Sequence, residues 1–400
     1  MARLVGTVSR GIRCPIIREK DDIRKIVVDA VVEASKDEEW GFKFHDRDIV
    51  CITEAVVARA QGNYASTKDI AKDVKAKTGG KTVGVIFPIL SRNRFAICLK
   101  GIAMGVEKVV LQLSYPGDEV GNKLVELDEV ERKGVDPFTD VLSLEKYREL
   151  FGYGVHKFTG VDYIAYYKEL IESTGAKCEI IFANKPEAIL KYTDTVIACD
   201  IHTLEHTKKV LKEHGVKTLV GVDEIMNAPV DGSGYNEKYG LLGSNKATED
   251  TVKLFPRDAQ GLVEGIQADL LEKTGKHIEV MIYGDGGFKD PVGGIWEFAD
   301  PVVSPAYTGG LYGTPNEMKL KYLIDNDCAE ILSQDELERA VRSKIKNKDD
   351  NLKGNMASQG TTPRQLTDLL GSLMDLTSGS GDRGTPIVVV KGYFKNLSSE

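Results

Sequence analysis

The run Tyr283-Gly-Asp-Gly-Gly-Phe-Lys-Asp-Pro291 places two carboxylates, Asp285 and Asp290, in a glycine-rich loop directly after the apolar segment Ile278–Tyr283. Hard cations take oxygen ligands, so these aspartates suit Mg2+ or Mn2+, with phosphate oxygens completing the shell. The plainer use is a glycine turn whose aspartates bond their own backbone. A second loop, Ser378-Gly-Ser-Gly-Asp-Arg-Gly-Thr-Pro386, adds Asp382, which could reach the same metal, and Arg383, which could take a phosphate. The alternative there is a flexible connection between a helix and a strand.

Ser91-Arg-Asn-Arg94 follows Phe87-Pro-Ile-Leu90 at an expected strand-to-helix transition. Arg92 and Arg94 would suit a substrate carboxylate or phosphate, because a guanidinium donates in a fork; surface salt bridges are the commoner use. Gly240-Leu-Leu-Gly-Ser-Asn-Lys246 ends in Ser244, Asn245 and Lys246 before an expected helix, whose N-terminus would favour an anion. It is neither a Walker loop nor a dinucleotide fingerprint. His202 and His206 stand one helical turn apart, but capping and solvated-face roles account for them more simply than zinc.

Those loops need rigid elements behind them. Ile23, Ile26, Val27, Ala30 and Val31 share one helical face, predicting a helix from about Asp21 to Ala34. Apolar runs at Asp48–Thr53, Thr82–Pro88 and Lys108–Leu113 read as strands, and from about Gly160 to Met226 helices and β-rich runs alternate. That alternation predicts right-handed crossovers and a small parallel, Rossmann-like sheet. The last part ends in a helix over Pro363–Leu376, opened by a capping box at Thr362, Pro363 and Gln365, and a strand over Pro386–Lys391.

With 400 residues the chain exceeds what one core usually serves. A net charge of -8 opposes general attraction to nucleic acid or anionic membrane and turns attention to small ligands. The six cysteines include no CxxC pair, which fits reduced core residues in a cytoplasmic protein, with Cys14 the one that could line a site. No signal peptide or apolar span is expected.

Asp48-Ile-Val-Cys-Ile-Thr-Glu-Ala-Val-Val-Ala-Arg-Ala-Gln-Gly62 resembles the early strand-helix motif of the F420-0:L-glutamate ligase family. Gly11-Ile-Arg-Cys-Pro-Ile-Ile-Arg-Glu19, Gly240–Asn245, Thr274–Asp285 and Gly381–Gly392 resemble, in the same order, its first nucleotide-contacting loop, its GxxxSN element, its metal-bearing strand and its closing loop and strand. The resemblance implies a mixed α/β ligase scaffold split into residues 1–125 and 231–400, with residues 126–230 an inserted βαβ subdomain. It implies an acid–amino-acid ligase that uses GTP, or ATP, and Mg2+ or Mn2+ to form a γ-glutamyl amide through an acyl phosphate, acting as a homodimer on a small carboxylate and glutamate. Cys14, Pro15, Ile16, Ile17, Arg59, Asn245, Gly381 and Arg383 would then bind nucleotide, and Asp285 would meet metal. Where the family has a metal-binding aspartate in its central element this chain has Leu242, where it has a closing-loop glutamate this chain has Ser380, and an early-motif lysine becomes Arg59. A metabolite-binding protein without turnover, and a nucleotide-using oxidoreductase or transferase with its ligand on the inserted sheet, are the competing readings.

Overall fold

The computed structural model describes residues 4–289, 294–297, 302–331, 333–358, 364–378 and 381–399. The chain is mixed α/β and builds two principal sheets.

The first contains Val8–Ile12 (β1), Ile49–Thr53 (β2), Glu279–Tyr283 (β12), Ala306–Tyr307 (β15) and Ile387–Lys391 (β16), in the order β1-β16-β2-β12-β15. Only β2 and β12 run parallel; the other pairs are antiparallel. Successive side chains of a strand point to opposite faces, and β2 shows the consequence. Val50 and Ile52 pack with Val27, Val263 and Ile266 of the helices Ile23–Ser35 and Ala259–Thr274. Ile49 and Cys51 pack on the other side with Leu370 and Met374 of the helix Leu366–Thr377. Burying such side chains contributes roughly 1.5–3 kcal/mol each, which is why a short strand sandwiched between helices holds its place. The first helix starts where Asp22 accepts the Lys25 N–H at 3.0 Å.

The second sheet has six strands, Thr82–Ile86 (β4), Lys108–Leu113 (β5), Leu142–Ser143 (β6), Lys177–Phe182 (β7), Thr195–Ala198 (β8) and Thr218–Gly221 (β9), ordered β6-β7-β5-β4-β8-β9. All neighbours are parallel except β6 with β7. The parallel strands thus follow the doubly wound order, with the winding reversing between β4 and β8. Their continuous apolar runs are buried, as expected of strands covered on both faces. The charged, turn-rich stretch after Tyr115 joins the same core through Tyr115, Val130, Leu142 and Tyr147.

A small sheet joins Tyr64–Ser66 (β3), Asn245–Thr248 (β10) and Thr251–Lys253 (β11). Here the expected helix after Lys246 is replaced by a hairpin: β11 pairs with β3 through Thr251 and Ser66, and β10 pairs with β11. Isolated propensity favoured neither state, and the waiting edge of β3 decided it. Phe288–Lys289 (β13) and Trp296–Glu297 (β14) form a two-stranded ribbon. The capping box at Thr362 and Pro363, and the positions of Asp290 and Ser380, lie outside the described residues. Among those described, no helix is long and apolar enough to cross a membrane.

Candidate functional site

Loops from four separated stretches of sequence surround a cavity of about 820 Å³ between the five-stranded sheet and the hairpin. Cys14, Pro15, Ile16 and Ile17 form one wall, Arg59 comes from the helix Glu54–Ala60, Asn245 starts the hairpin and Gly381 belongs to the closing loop. Short bonds set these segments against one another. The Thr53 N–H donates to Pro386 O at 3.1 Å and the Lys20 N–H to Ala60 O at 2.8 Å. Buried Asn63 donates from Nδ2 to Tyr235 O at 3.0 Å and Phe255 O at 2.7 Å, fastening the early helix to the later chain.

The lining is cationic where an anion would sit. Arg59, Lys246 and Lys253 all face the cavity. Lys253 Nζ lies 3.1 Å from Glu54 Oε1 in a nearly buried pair, while Lys246 pairs with Glu249. Thr385 Oγ1 is buried without a hydrogen-bond partner among the described residues, and Thr385 lines both this cavity and a neighbouring one of about 1350 Å³. Burial pushes the Cys14 thiol up, which disfavours its thiolate. Arg383 lines the neighbouring cavity, donating from Nη1 to Thr377 O at 3.1 Å. Sequence reasoning missed Lys253 and Thr385: a lone lysine carries no local signal until β11 pairs with β3, and a lone threonine ahead of a strand carries none.

Asp285 lies just beyond β12. The Gly284 N–H donates to Val303 O at 2.8 Å, the Gly286 N–H to Asp375 Oδ2 at 3.2 Å and the Gly287 N–H to Ser372 Oγ at 3.0 Å. Asp375, on the helix Leu366–Thr377, therefore brings a second carboxylate to this loop. One or two carboxylates together with phosphate oxygens and water are the donor set Mg2+ or Mn2+ takes, so the residues fit such an ion. Among the described residues no three His, Cys, Asp or Glu side chains gather as a ready cage. The Asp285 carboxylate forms an ion pair with Arg94, which crosses from the six-stranded sheet. Arg92 is exposed beside it, and Asp382 is exposed on the closing loop.

Where the doubly wound sheet would open a ligand crevice, between the ends of β4 and β8, Leu241 and Leu242 pack against Ile89, Cys98, Cys199 and Val222. The void left is about 20 Å³, room for no nucleotide. The Leu241 N–H donates to Val222 O at 3.1 Å and the Lys246 N–H to Asn93 O at 2.7 Å, so the segment that plugs the crevice continues directly into the larger cavity. His202, beside this crest, gives its backbone N–H to Glu119.

No curated protein matches the chain. Among solved structures it is similar to eIF2B beta from Chaetomium thermophilum, at 12% identity and a TM-score of 0.22, over 56% of this chain and 61% of that one. The chain thus spans less than two thirds of that protein, a likeness too slight to bear on the fold. The model of the F420-0:gamma-glutamyl ligase family matches residues 11–392, running through both principal sheets and every wall of the cationic cavity, and the chain therefore belongs to that family of ligases.

Proposed function

We propose that the chain is a nucleotide-dependent, metal-assisted ligase that joins glutamate to a carboxylated small molecule through an acyl phosphate. The observation that carries this reading is the convergence of Cys14, Pro15, Ile16, Ile17, Arg59, Asn245 and Gly381, from four separated stretches, on one cavity with a cationic lining. Arg59, Lys246 and Lys253 would bind and orient the polyphosphate of GTP or ATP, with Asn245 and the closing loop carrying Arg383 completing the enclosure. An oxygen of the acceptor carboxylate attacks the terminal phosphorus, the nucleoside diphosphate leaves, and the amine nitrogen of glutamate then attacks the acyl carbon. Phosphate departs with the C–O bond electrons and the amine loses a proton. Arg92 and Arg94 would hold an anionic substrate group.

Asp285, with Asp290 and Asp382, would hold Mg2+ or Mn2+, and Asp375 is close enough to the loop to share the task. That ion, when bound, would neutralise charge on the phosphates. We extend the reading to a cytoplasmic homodimer.

Calorimetry with GTP and ATP, with and without Mn2+, tests the proposal. Arg59→Ala should weaken binding of the preferred nucleotide about tenfold or more, and wild type should release phosphate only when glutamate and acceptor are both present. Nucleotide binding without turnover for any carboxylate offered with glutamate would favour a metabolite-binding role. No binding of either nucleotide with any metal would sink the ligase assignment of this cavity.

A further inference from the structure

Arg94 is held where it stands. The Ser91 N–H donates to Tyr167 Oη at 2.9 Å, Tyr167 Oη donates to Ile89 O at 2.7 Å, and the Arg94 N–H donates to Ser91 Oγ at 3.1 Å. Tyr167 is fully buried in the core of the six-stranded sheet, so the loop after β4 is anchored to that sheet and not to the one bearing the metal loop. Asp285 is anchored independently through Gly284, Gly286 and Gly287. Two firmly placed loops, one from each principal sheet, thus meet through a guanidinium and a carboxylate whose side chains are only 18% and 28% exposed. At that exposure solvent screens the pair far less than at an open surface.

A cation already facing a carboxylate opposes a second, doubly charged cation arriving at the same oxygens. Resting on the ligase reading of the site, we infer that Arg94 is a positioning residue that suppresses divalent-metal binding at Asp285 until an anionic phosphate draws its guanidinium away. Metal and nucleotide then bind with positive coupling: each makes the other tighter, by the same factor in both directions. The six-stranded sheet gains a role in the ligase site, delivering the cation that ties metal loading to nucleotide arrival. The neighbouring Asn93 carbonyl accepts from the Lys246 N–H at 2.7 Å, so the same loop also supports the hairpin that lines the nucleotide cavity.

The test is a Mn2+ titration of the whole chain, followed by electron paramagnetic resonance of the free ion, with and without a non-hydrolysable GTP or ATP analogue. Arg94→Gln should tighten Mn2+ binding in the absence of nucleotide about tenfold, and the factor by which the analogue tightens Mn2+ should shrink correspondingly. Arg94→Lys, which keeps the charge but loses the fork, should tighten it by only about two- to threefold, and serves the same test should the glutamine variant fail to fold. Asp285→Asn should abolish the difference between Arg94 variants. Unchanged or weaker Mn2+ binding in both Arg94 variants, with Asp285→Asn still costing metal, would overturn this inference and leave the ligase site standing. Metal-dependent nucleotide binding that survives Asp285→Asn unaltered would overturn both.

Discussion

Leu242 stands where the family resemblance leads us to expect a metal-binding aspartate, and its side chain answers a different need. It packs with Cys98, Cys199 and Val222 against the crest of the six-stranded sheet, 8% exposed, beside a void of about 20 Å³. Leu242→Asp should therefore not restore a metal ligand. A carboxylate placed among those neighbours loses water and gains no cation, so stability should fall by about 3 kcal/mol, read as a lower urea midpoint, while Mn2+ affinity stays unchanged. A variant of undiminished stability with tighter Mn2+ binding would show that this segment turns towards the metal loop. Lys253 and Glu54 make the opposite case at the same scale: two polar side chains sit in near-burial because each supplies the other's partner.

Gly240 governs how the Leu241–Lys246 segment leaves the six-stranded sheet for the cavity. Its φ of +50° lies in the left-handed region, and a Cβ there would come within 2.3 Å of both the Asp223 and Ile225 carbonyl oxygens. Those are backbone atoms that cannot rotate aside, so Gly240→Ala should cost about 2 kcal/mol or more. Because the same segment sets Asn245 in the wall of the cavity, nucleotide affinity should fall along with the melting temperature; a drop in stability alone would separate the turn from the site. Much of this scale was legible in the sequence. The periodicity of Ile23, Val27 and Val31 located a helix, and the apolar runs around Val50, Val109 and Ile197 located strands, because burial on fixed faces leaves a period behind. The hairpin at Asn245–Lys253 was not legible, since Lys-Ala-Thr-Glu-Asp-Thr-Val suits helix and strand alike and only the edge of β3 decides. Nor was the Arg94 to Asp285 contact, which depends on how two sheets meet across a long separation in sequence.

Across the whole molecule, charge is unevenly placed. The helix Glu54–Ala60 and the hairpin present Arg59, Lys246 and Lys253 to the cavity, whereas the end of the six-stranded sheet buries carboxylates: Asp118, Glu119 and Asp200 all have their pKa raised, first of all by burial. Asp118 and Glu119 spend their oxygens on backbone N–H groups of Leu90, Val120, Asn122, Ile201 and His202. Asp200 accepts from the Thr203 and Thr207 hydroxyls through Oδ2, at 2.7 and 2.8 Å, while its Oδ1 is buried without a partner among the described residues. Desolvation raises its pKa, outweighing the Thr203 and Thr207 hydroxyls and, last, the Lys208 ammonium, which pull it down.

A carboxyl whose pKa is raised by folding binds its proton more tightly in the native state. Its contribution is most favourable below the unfolded value near 3.8 and is lost as pH rises through the folded one. Asp200→Asn keeps an oxygen for both threonines and replaces the unpaired Oδ1 with a neutral group that never ionises. Its stability relative to wild type should consequently be lowest near pH 4, rise with pH, and level off once wild-type Asp200 is ionised. Urea unfolding of both proteins at intervals from pH 4 to pH 8 measures that difference. A difference that stays flat across the range would mean that Asp200 ionises in the fold as readily as in the unfolded chain. The rising difference would make the end of the parallel sheet a place where the fold carries an electrostatic cost, set against the apolar plug that Leu241 and Leu242 supply beside it.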